Sequence, residues 1–381
     1  MKSTGLNIVA DENIPALERL FGHLGQIHKL PGRTIQNSDL QQADLLLVRS
    51  VTRVDQPLLD NTPVRFVGTA TIGMDHIDTD WLKANGIGFS SAPGCNADAV
   101  AEYVISNLLL VAAEQNFSLT DKVVGIVGVG NVGRRLQQRL ADLGVKLLLN
   151  DPLRADAGEA GFIGLSALLE QADIICLHTP LTHSGAHPSY HLLHEQNLHM
   201  IKPGAILLNA GRGPVIDNKA LLHWHQQRAD VTLVLDVWED EPVVDSHLAQ
   251  RARIGTPHIA GYTLDGKIRG TWMLYRAFCL QQGITPEIEL SDCLANAGPA
   301  PEILLEGSET LTDIVHAIYQ PEADFQRFMD SLVDADAQPL AFDLLRKNYP
   351  VRREFVAAKL SGATPSAELS QQLQAVGFCL K

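Results

Sequence analysis

Short aliphatic, β-branched runs alternate along this chain with stretches in which apolar residues recur every three or four positions. In the first hundred residues the runs are Leu6 to Ala10, Ala43 to Val48, Phe66 to Gly68 and Ile87 to Phe89, each read as a buried strand. Asp11 to Pro15 opens a helix through Leu17, Leu20 and Phe21, with Pro15 in an early-helix position. Asn96 to Glu114 predicts a long helix with Asn96 as its N-cap and Val100, Val104, Leu108 and Val111 as its apolar stripe. The rhythm then repeats. Val123 to Val127, Leu147 to Leu149, Asp173 to His178, Ala205 to Asn209 and Val231 to Leu235 read as strands. Helices are expected from Asn131, at Leu165 to Glu170, at Leu192 to Met200 and at Asp217 to Gln226. A last long helix, Asp265 to Gln282, is expected to return to the first set of strands. The alternation predicts an α/β chain with two doubly wound parallel sheets, whose functional loops lie at the carboxyl ends of the strands.

Beyond that helix the pattern changes. Pro286 to Pro301 is rich in turn residues, and the remainder to Lys381 mixes strand and helix signals, as a small α+β third domain would. The expected division is 1–95 with 265–285, 96–264, and 286–381, with 96–116 crossing between the first two. A chain of 381 residues has room for two or three domains. No repeat at solenoid spacing and no low-complexity tract interrupts it.

Charge and cysteine usage narrow the function. A net charge of −14 argues against nucleic acid as the main partner, since a phosphate backbone needs a basic face. A small anionic substrate stays open, because a few local arginines suffice to hold one. The five cysteines are odd in number and scattered, with no metal-ligand spacing, which fits a reducing cytoplasm and predicts no metal. The N-terminus runs almost directly into a strand, so no signal peptide is expected, and no apolar run is long enough for a membrane span.

The strongest chemical signal starts at Val123. Gly128, Gly130 and Gly133 follow the strand in the pattern G-x-G-x-x-G. The first glycine allows the tight turn, the second lets a pyrophosphate approach the backbone, and the third lets helix lie against strand. Asn131 and Val132 then begin a helix whose N–H groups and positive end would face phosphates. Asp151 closes the next strand, where a carboxylate accepts ribose hydroxyls and repels a 2′-phosphate, favouring NAD over NADP.

Three further residues follow strands of this half. Arg212 can hold a carboxylate through two parallel hydrogen bonds. Glu241 can pair with His258, fix its tautomer and stabilise its protonated form. Such a histidine takes a hydroxyl proton while a hydride leaves the same carbon for a nicotinamide. Taken singly, each has a duller explanation: a solvated arginine, a core histidine, a loop glutamate. Their shared position at strand ends of one nucleotide-binding sheet favours the chemical reading. In the first half, Arg49-Ser50 and Thr69 to Gly73 occupy the corresponding places, with ordinary turns as the alternative.

The stretches Gly-Val-Gly-Asn-Val-Gly, Asn-Ala-Gly-Arg-Gly, Asp-Val-Trp-Glu-Asp-Glu-Pro and Thr-Pro-His-Ile-Ala-Gly-Tyr resemble the motifs of the D-isomer-specific 2-hydroxyacid dehydrogenases, in the order of that family. The resemblance implies a flavodoxin-like substrate domain, a Rossmann NAD domain and Arg212, Glu241 and His258 as the catalytic set. It also implies that Asp151, Thr179, Ala210, Gly211, Arg212, Asp236 and Gly261 contact the cofactor, and that Ser50, Thr71 and Tyr262 contact substrate. Leu-Arg-Lys-Asn-Tyr and Arg-Arg-Glu near the C-terminus are similar to the dimerisation domain of one branch of that family, which implies a homodimer and a small phosphorylated hydroxyacid as substrate. Arg49 is the first candidate for its phosphate; Arg346, Arg352 and Arg353 of a partner subunit are a second set, against the reading of a solvated basic face. Two other readings stay open: a different hydroxyacid dehydrogenase, acting on 3-phosphoglycerate or on glyoxylate and hydroxypyruvate, and a non-catalytic NAD(H)-sensing protein.

Overall fold

A computed structural model describes residues 5–334 and 336–380. The chain divides into two units, 1–96 with 263–299, and 97–262 with 300–381.

The first unit is built on a five-stranded parallel sheet in the order β2-β1-β3-β4-β5. Its strands are β1 (Leu6–Asp11), β2 (Gly25–Leu30), β3 (Leu45–Val48), β4 (Phe66–Thr69) and β5 (Gly88–Ser90). β3 and β4 are buried at every position, as a sheet covered on both faces requires. One face packs on Phe21, Leu274 and Phe278, the last two from the Leu264–Gln281 helix, and the other on Leu40, Val54 and Leu82. The early helix is shorter than the pattern implies, Leu17–Phe21, because Ala16 sits in the left-handed region at φ 58° and ends the Asp11 to Pro15 segment as a turn. β2 has no counterpart among the expected strands. It is the edge strand, with no fully buried position, so its sequence lacks an apolar run.

The second unit carries a six-stranded parallel sheet in the order β11-β10-β9-β8-β6-β7. These are β6 (Val123–Val127), β7 (Lys146–Asn150), β8 (Ile174–Leu177), β9 (Ile206–Asn209), β10 (Thr232–Leu235) and β11 (Ile254–Gly255). β7 lies to one side of β6, and β8 and its successors to the other. The order reverses at β6, the kind of switch point at which parallel α/β sheets take ligands beyond their strands' carboxyl ends. Leu192 to Met200 is mostly irregular, helical only over Glu195–Leu198 behind a His194 N-cap.

Residues 300–380 cluster with this unit, and 286–299 with the first. They form a two-stranded parallel sheet, β12 (Glu302–Leu305) and β13 (Lys359–Gly362), with helices that include Leu311–Ile318, Pro321–Ser331, Gln338–Lys347 and Ala367–Val376. Tyr319, Phe355, Leu373, Val376 and Phe378 share a core with Tyr103, Leu136 and Leu140 of the nucleotide half. The turn-rich stretch before them contains a helix, Leu290–Ala295.

Candidate active site

The glycine loop after β6 has the geometry its spacing implies. Gly128 holds φ at 86°, and a Cβ there would come within 2.8 Å of the Thr179 amide nitrogen. A Cβ on Gly133 would lie 2.1 Å from the Gly128 carbonyl oxygen, so helix Asn131–Asp142 packs on the loop only because that side chain is absent. At Gly130 nothing lies within 4 Å of the same position, which leaves room for a ligand against the backbone. Asn131 and Val132 form the first turn beyond it.

Asp151 follows β7 and caps the short helix Pro152–Asp156. Its carboxylate accepts from the Val129 amide at 2.9 Å and from the Arg154 amide at 3.3 Å. The neighbouring Arg154 is committed elsewhere: its guanidinium pairs with Glu159, donates to the Val129 carbonyl at 3.1 Å and lies over the Phe162 ring. Thr179, after β8, has a buried hydroxyl with no partner among the described residues. Both ring nitrogens of the preceding His178 are likewise buried and unpartnered, and burial pushes that imidazole down to about 4, so it is neutral. Buried polar atoms are almost always satisfied, so these orphans at the crevice fit a ligand that is held there. Sequence reading had no signal for His178 beyond its place at a strand end.

Asn209 ends β9 and shapes the next loop. Its side chain accepts from the Gly211 amide and donates to the Arg212 carbonyl, both at 3.0 Å. Ala210 and Gly211 thereby take a fixed path, and Arg212 turns back so that Nη1 donates to the Gly211 carbonyl at 2.9 Å. A Cβ at Gly213 would fall 1.9 Å from the Trp238 carbonyl oxygen, so this loop lies directly on the loop after β10.

That second loop orients Glu241. One carboxylate oxygen accepts from the Trp238 amide at 2.9 Å, and the other meets Nδ1 of His258 at 2.8 Å. Burial works against the charge on Glu241, but the facing imidazole, its hydrogen bond, the Trp238 amide and Arg346 together hold the carboxyl below its usual range. The imidazole side chain is about a third exposed, at 32%. With Nδ1 turned to Glu241, Nε2 is the ring atom left for a substrate proton.

His258 itself sits at φ 56°, a left-handed conformation that few residues with a side chain adopt. Asp236 imposes it. The Asp236 carbonyl accepts from the His258 amide at 2.7 Å, and its carboxylate accepts from the Ile259 amide at 2.7 Å, the Ala260 amide at 3.0 Å and the Thr256 hydroxyl at 2.6 Å. Burial pushes the Asp236 carboxyl up, against the pull of His258 and these donors. In the structure the Asp236 carboxylate anchors the His258 loop through three donors, and Gly261 and Tyr262 continue that loop.

The C-terminal region touches the same loop. Arg352 is buried, stacks on Tyr319, and donates to the carbonyls of Ile259 and Ala260. Arg346 lies over the Tyr262 ring, hydrogen-bonds with its hydroxyl and acts electrostatically on Glu241. Arg353 is buried. The alternative of a solvated basic face does not hold: Arg352 and Arg353 are buried, and Arg346 lies against Tyr262 of the His258 loop in the same chain. The locally basic block gave no hint of this, because its contacts lie about ninety residues away in sequence.

Arg49 and Ser50 follow β3 in the first unit, Arg49 half-buried and Ser50 exposed. Thr71 follows β4, where its hydroxyl meets that of Thr69 at 2.7 Å and donates to the Gly73 carbonyl at 3.0 Å. The three share one end of that sheet, as the Ala70 amide donates to the Val48 carbonyl. His191, Asp217 and Glu239 also gather ligand atoms within 4.8 Å, a grouping hidden in sequence, but both carboxylates serve as caps for backbone amides.

Residues 110–260 match the family described as D-isomer specific 2-hydroxyacid dehydrogenase, NAD binding domain, and residues 302–377 match a domain of unknown function. The chain is 47% identical over 384 residues to the erythronate-4-phosphate dehydrogenase of Azotobacter vinelandii, with 98% of this chain and 99% of that one covered. It is 45% identical to the protein of the same name from Chromohalobacter salexigens, with 99% of each covered. Among solved structures, NAD+-bound 3-phosphoglycerate dehydrogenase from Entamoeba histolytica aligns with a TM-score of 0.63 at 20% identity, over 75% of this chain and 98% of its own. D-Lactate dehydrogenase from Aquifex aeolicus, complexed with NAD and lactic acid, aligns at 0.60 and 23%, over 77% and 100%. At such identities the structural likeness is one of fold.

Proposed function

The chain belongs to the D-isomer-specific 2-hydroxyacid dehydrogenase family, and from that premise we propose that it oxidises 4-phospho-D-erythronate at C2 to 2-oxo-3-hydroxy-4-phosphobutanoate. It is an NAD-dependent oxidoreductase. The glycine loop, Asp151, the Thr179 hydroxyl and the Ala210 to Arg212 segment are the groups that would hold NAD. When bound, NAD supplies the acceptor for the C2 hydride.

The rest falls to side chains of this chain. Arg212 holds the substrate carboxylate and polarises C2. His258 takes the C2 hydroxyl proton on Nε2 and becomes imidazolium. Glu241, already ionised, fixes the tautomer and offsets the new charge. Ser50, Thr71 and Tyr262 contact the substrate, with Arg49 a cation for its phosphate. In the reverse direction His258 returns the proton. The observation that carries this reading is the His258–Glu241 hydrogen bond at 2.8 Å, made by Nδ1 on a loop that Asp236 holds in place.

The test is NADH formation with purified protein and 4-phosphoerythronate beside a panel of other 2-hydroxyacids. His258→Gln is expected to lower kcat by about 10²–10⁴. Turnover by the variant at the wild-type rate, or preference for another acid, removes the assignment.

The same reading gives a place and an assembly. The product chemistry suits pyridoxal 5′-phosphate biosynthesis in the cytoplasm. All five cysteines are unbridged, and no helix is long and apolar enough to cross a membrane among the described residues. Leu304, Val333, Leu340, Leu344, Val351 and Val356 are large, apolar and exposed within the C-terminal region. They support a homodimer through that region, read by sedimentation as twice the chain's 41.5 kDa.

A further inference from the structure

We infer that Arg346, together with the Tyr262 hydroxyl, recognises the terminal phosphoryl group of the substrate, so that the C-terminal region selects the substrate of its own chain. The inference rests on the dehydrogenase reading above and extends it to specificity. Arg346 lies in the last turn of helix Gln338–Lys347, inside the segment that matches a domain apart from the NAD-binding family match. Its guanidinium lies 5.5 Å from the Tyr262 ring centroid and 5.9 Å from that of Phe342. Tyr262 stands four residues after His258, and its hydroxyl bonds with the guanidinium. Arg346 Nε is buried and has no hydrogen-bond partner among the described residues.

Charge bookkeeping at the dyad makes this arrangement informative. Both oxygens of Glu241 are engaged, one by the Trp238 amide and one by His258. The Glu241 charge therefore serves the imidazole, while Arg346 acts on it through space; Asp343, one turn back on Arg346's own helix, is the other anion that faces the guanidinium. During oxidation His258 gains a positive charge. Arg346 draws on the same Glu241 charge that the imidazolium needs, so a permanent cation here hinders the proposed chemistry unless substrate brings an anion with it. A phosphoryl dianion does so, and its oxygens are the acceptors that a planar fork with an unpaired N–H binds best. The substrate carboxylate is assigned to Arg212, so the phosphoryl end, for which Arg49 is a further cation, is the anion left for Arg346.

The experiment compares kcat/KM for 4-phosphoerythronate and for unphosphorylated erythronate in wild type, Arg346→Gln and Arg346→Lys. The ratio of the two is expected to fall about 10- to 100-fold in Arg346→Gln, the loss set by charge-assisted hydrogen bonds, and to recover in part in Arg346→Lys. Inorganic phosphate is expected to inhibit wild type more strongly than Arg346→Gln. Near-native thermal melting and NADH binding establish that the variants fold. A ratio unchanged in Arg346→Gln overturns the inference, whatever the two separate values do. Failure of wild type to oxidise 4-phosphoerythronate would instead sink the parent reading, so the two outcomes are distinguishable.

Discussion

Glu241 shows how much one side chain is asked to do. It holds an imidazole with one oxygen and a backbone amide with the other, at a site where burial alone would favour its neutral form. Because its carboxyl is held below the ordinary value of 4.5, its stabilisation is present above that value and is lost as pH falls through the lower folded one. Glu241→Gln keeps the shape and removes the charge. The stability gap between wild type and variant should be full at pH 7 and should close as acidification passes below 4.5, read by thermal melting. The kcat of the variant should fall about 10- to 100-fold, since the imidazolium loses its counter-charge. A gap that widens in acid would contradict this account. Arg212, Glu241 and His258 were legible in sequence because each follows a strand end of a recognisable parallel sheet. Arg346 and Arg352 were not placed in cis, because nothing in a basic stretch of chain announces which distant loop it will cover.

At the scale of elements, the longer buried strands were readable, whereas polar β2 and the two-residue β11 were not. β6, β8 and β9 are mostly apolar runs with at most one position less than fully buried, whereas β2 reads Gly-Gln-Ile-His-Lys-Leu and packs only Ile27 and Leu30, both partly buried, on the core. The Ala97–Gln115 helix is a second case. Its apolar stripe was evident, yet it is buried nearly all round, and Glu102 lies inside with 4% of its surface exposed. There it accepts from the Phe355 amide at 3.0 Å and from Arg139 at 3.3 Å. Burial pushes the Glu102 carboxyl up to about 8, and nearby Glu354 adds to this against the pull of Arg139. A carboxyl raised in this way contributes stability that is complete below its unfolded value of 4.5 and is lost as pH rises through about 8. Glu102→Gln removes that dependence. The variant's melting temperature is therefore expected to gain on wild type between pH 6 and pH 9, and a gain confined to acid would refute the sign.

For the molecule as a whole, the C-terminal region is part of how the nucleotide half folds. Phe355 stacks on Phe378 at 4.9 Å, and its amide feeds Glu102. Arg139 of the glycine-loop helix donates to the Val376 carbonyl at 2.7 Å, and Phe328 stacks on Trp238 at 5.3 Å beside the loop that carries Glu241. Tyr319 packs on Tyr103, whose hydroxyl meets Thr256 and through it Asp236, the anchor of the His258 loop. One chain of contacts thus runs from the C-terminal region to the His258 loop. Phe355→Ala opens a cavity in the shared core and should cost about 3–5 kcal/mol, seen as one cooperative shift in the unfolding of residues 97–262 together with 300–380. If the C-terminal region were an independent module, the variant would instead give a new early transition and leave NADH binding and the main transition where they were. That separation, measured by calorimetry with and without NADH, would show that the region only decorates the nucleotide half. A single shifted transition, accompanied by weaker NADH binding and lower kcat, is the outcome that the Tyr103–Thr256–Asp236 path requires.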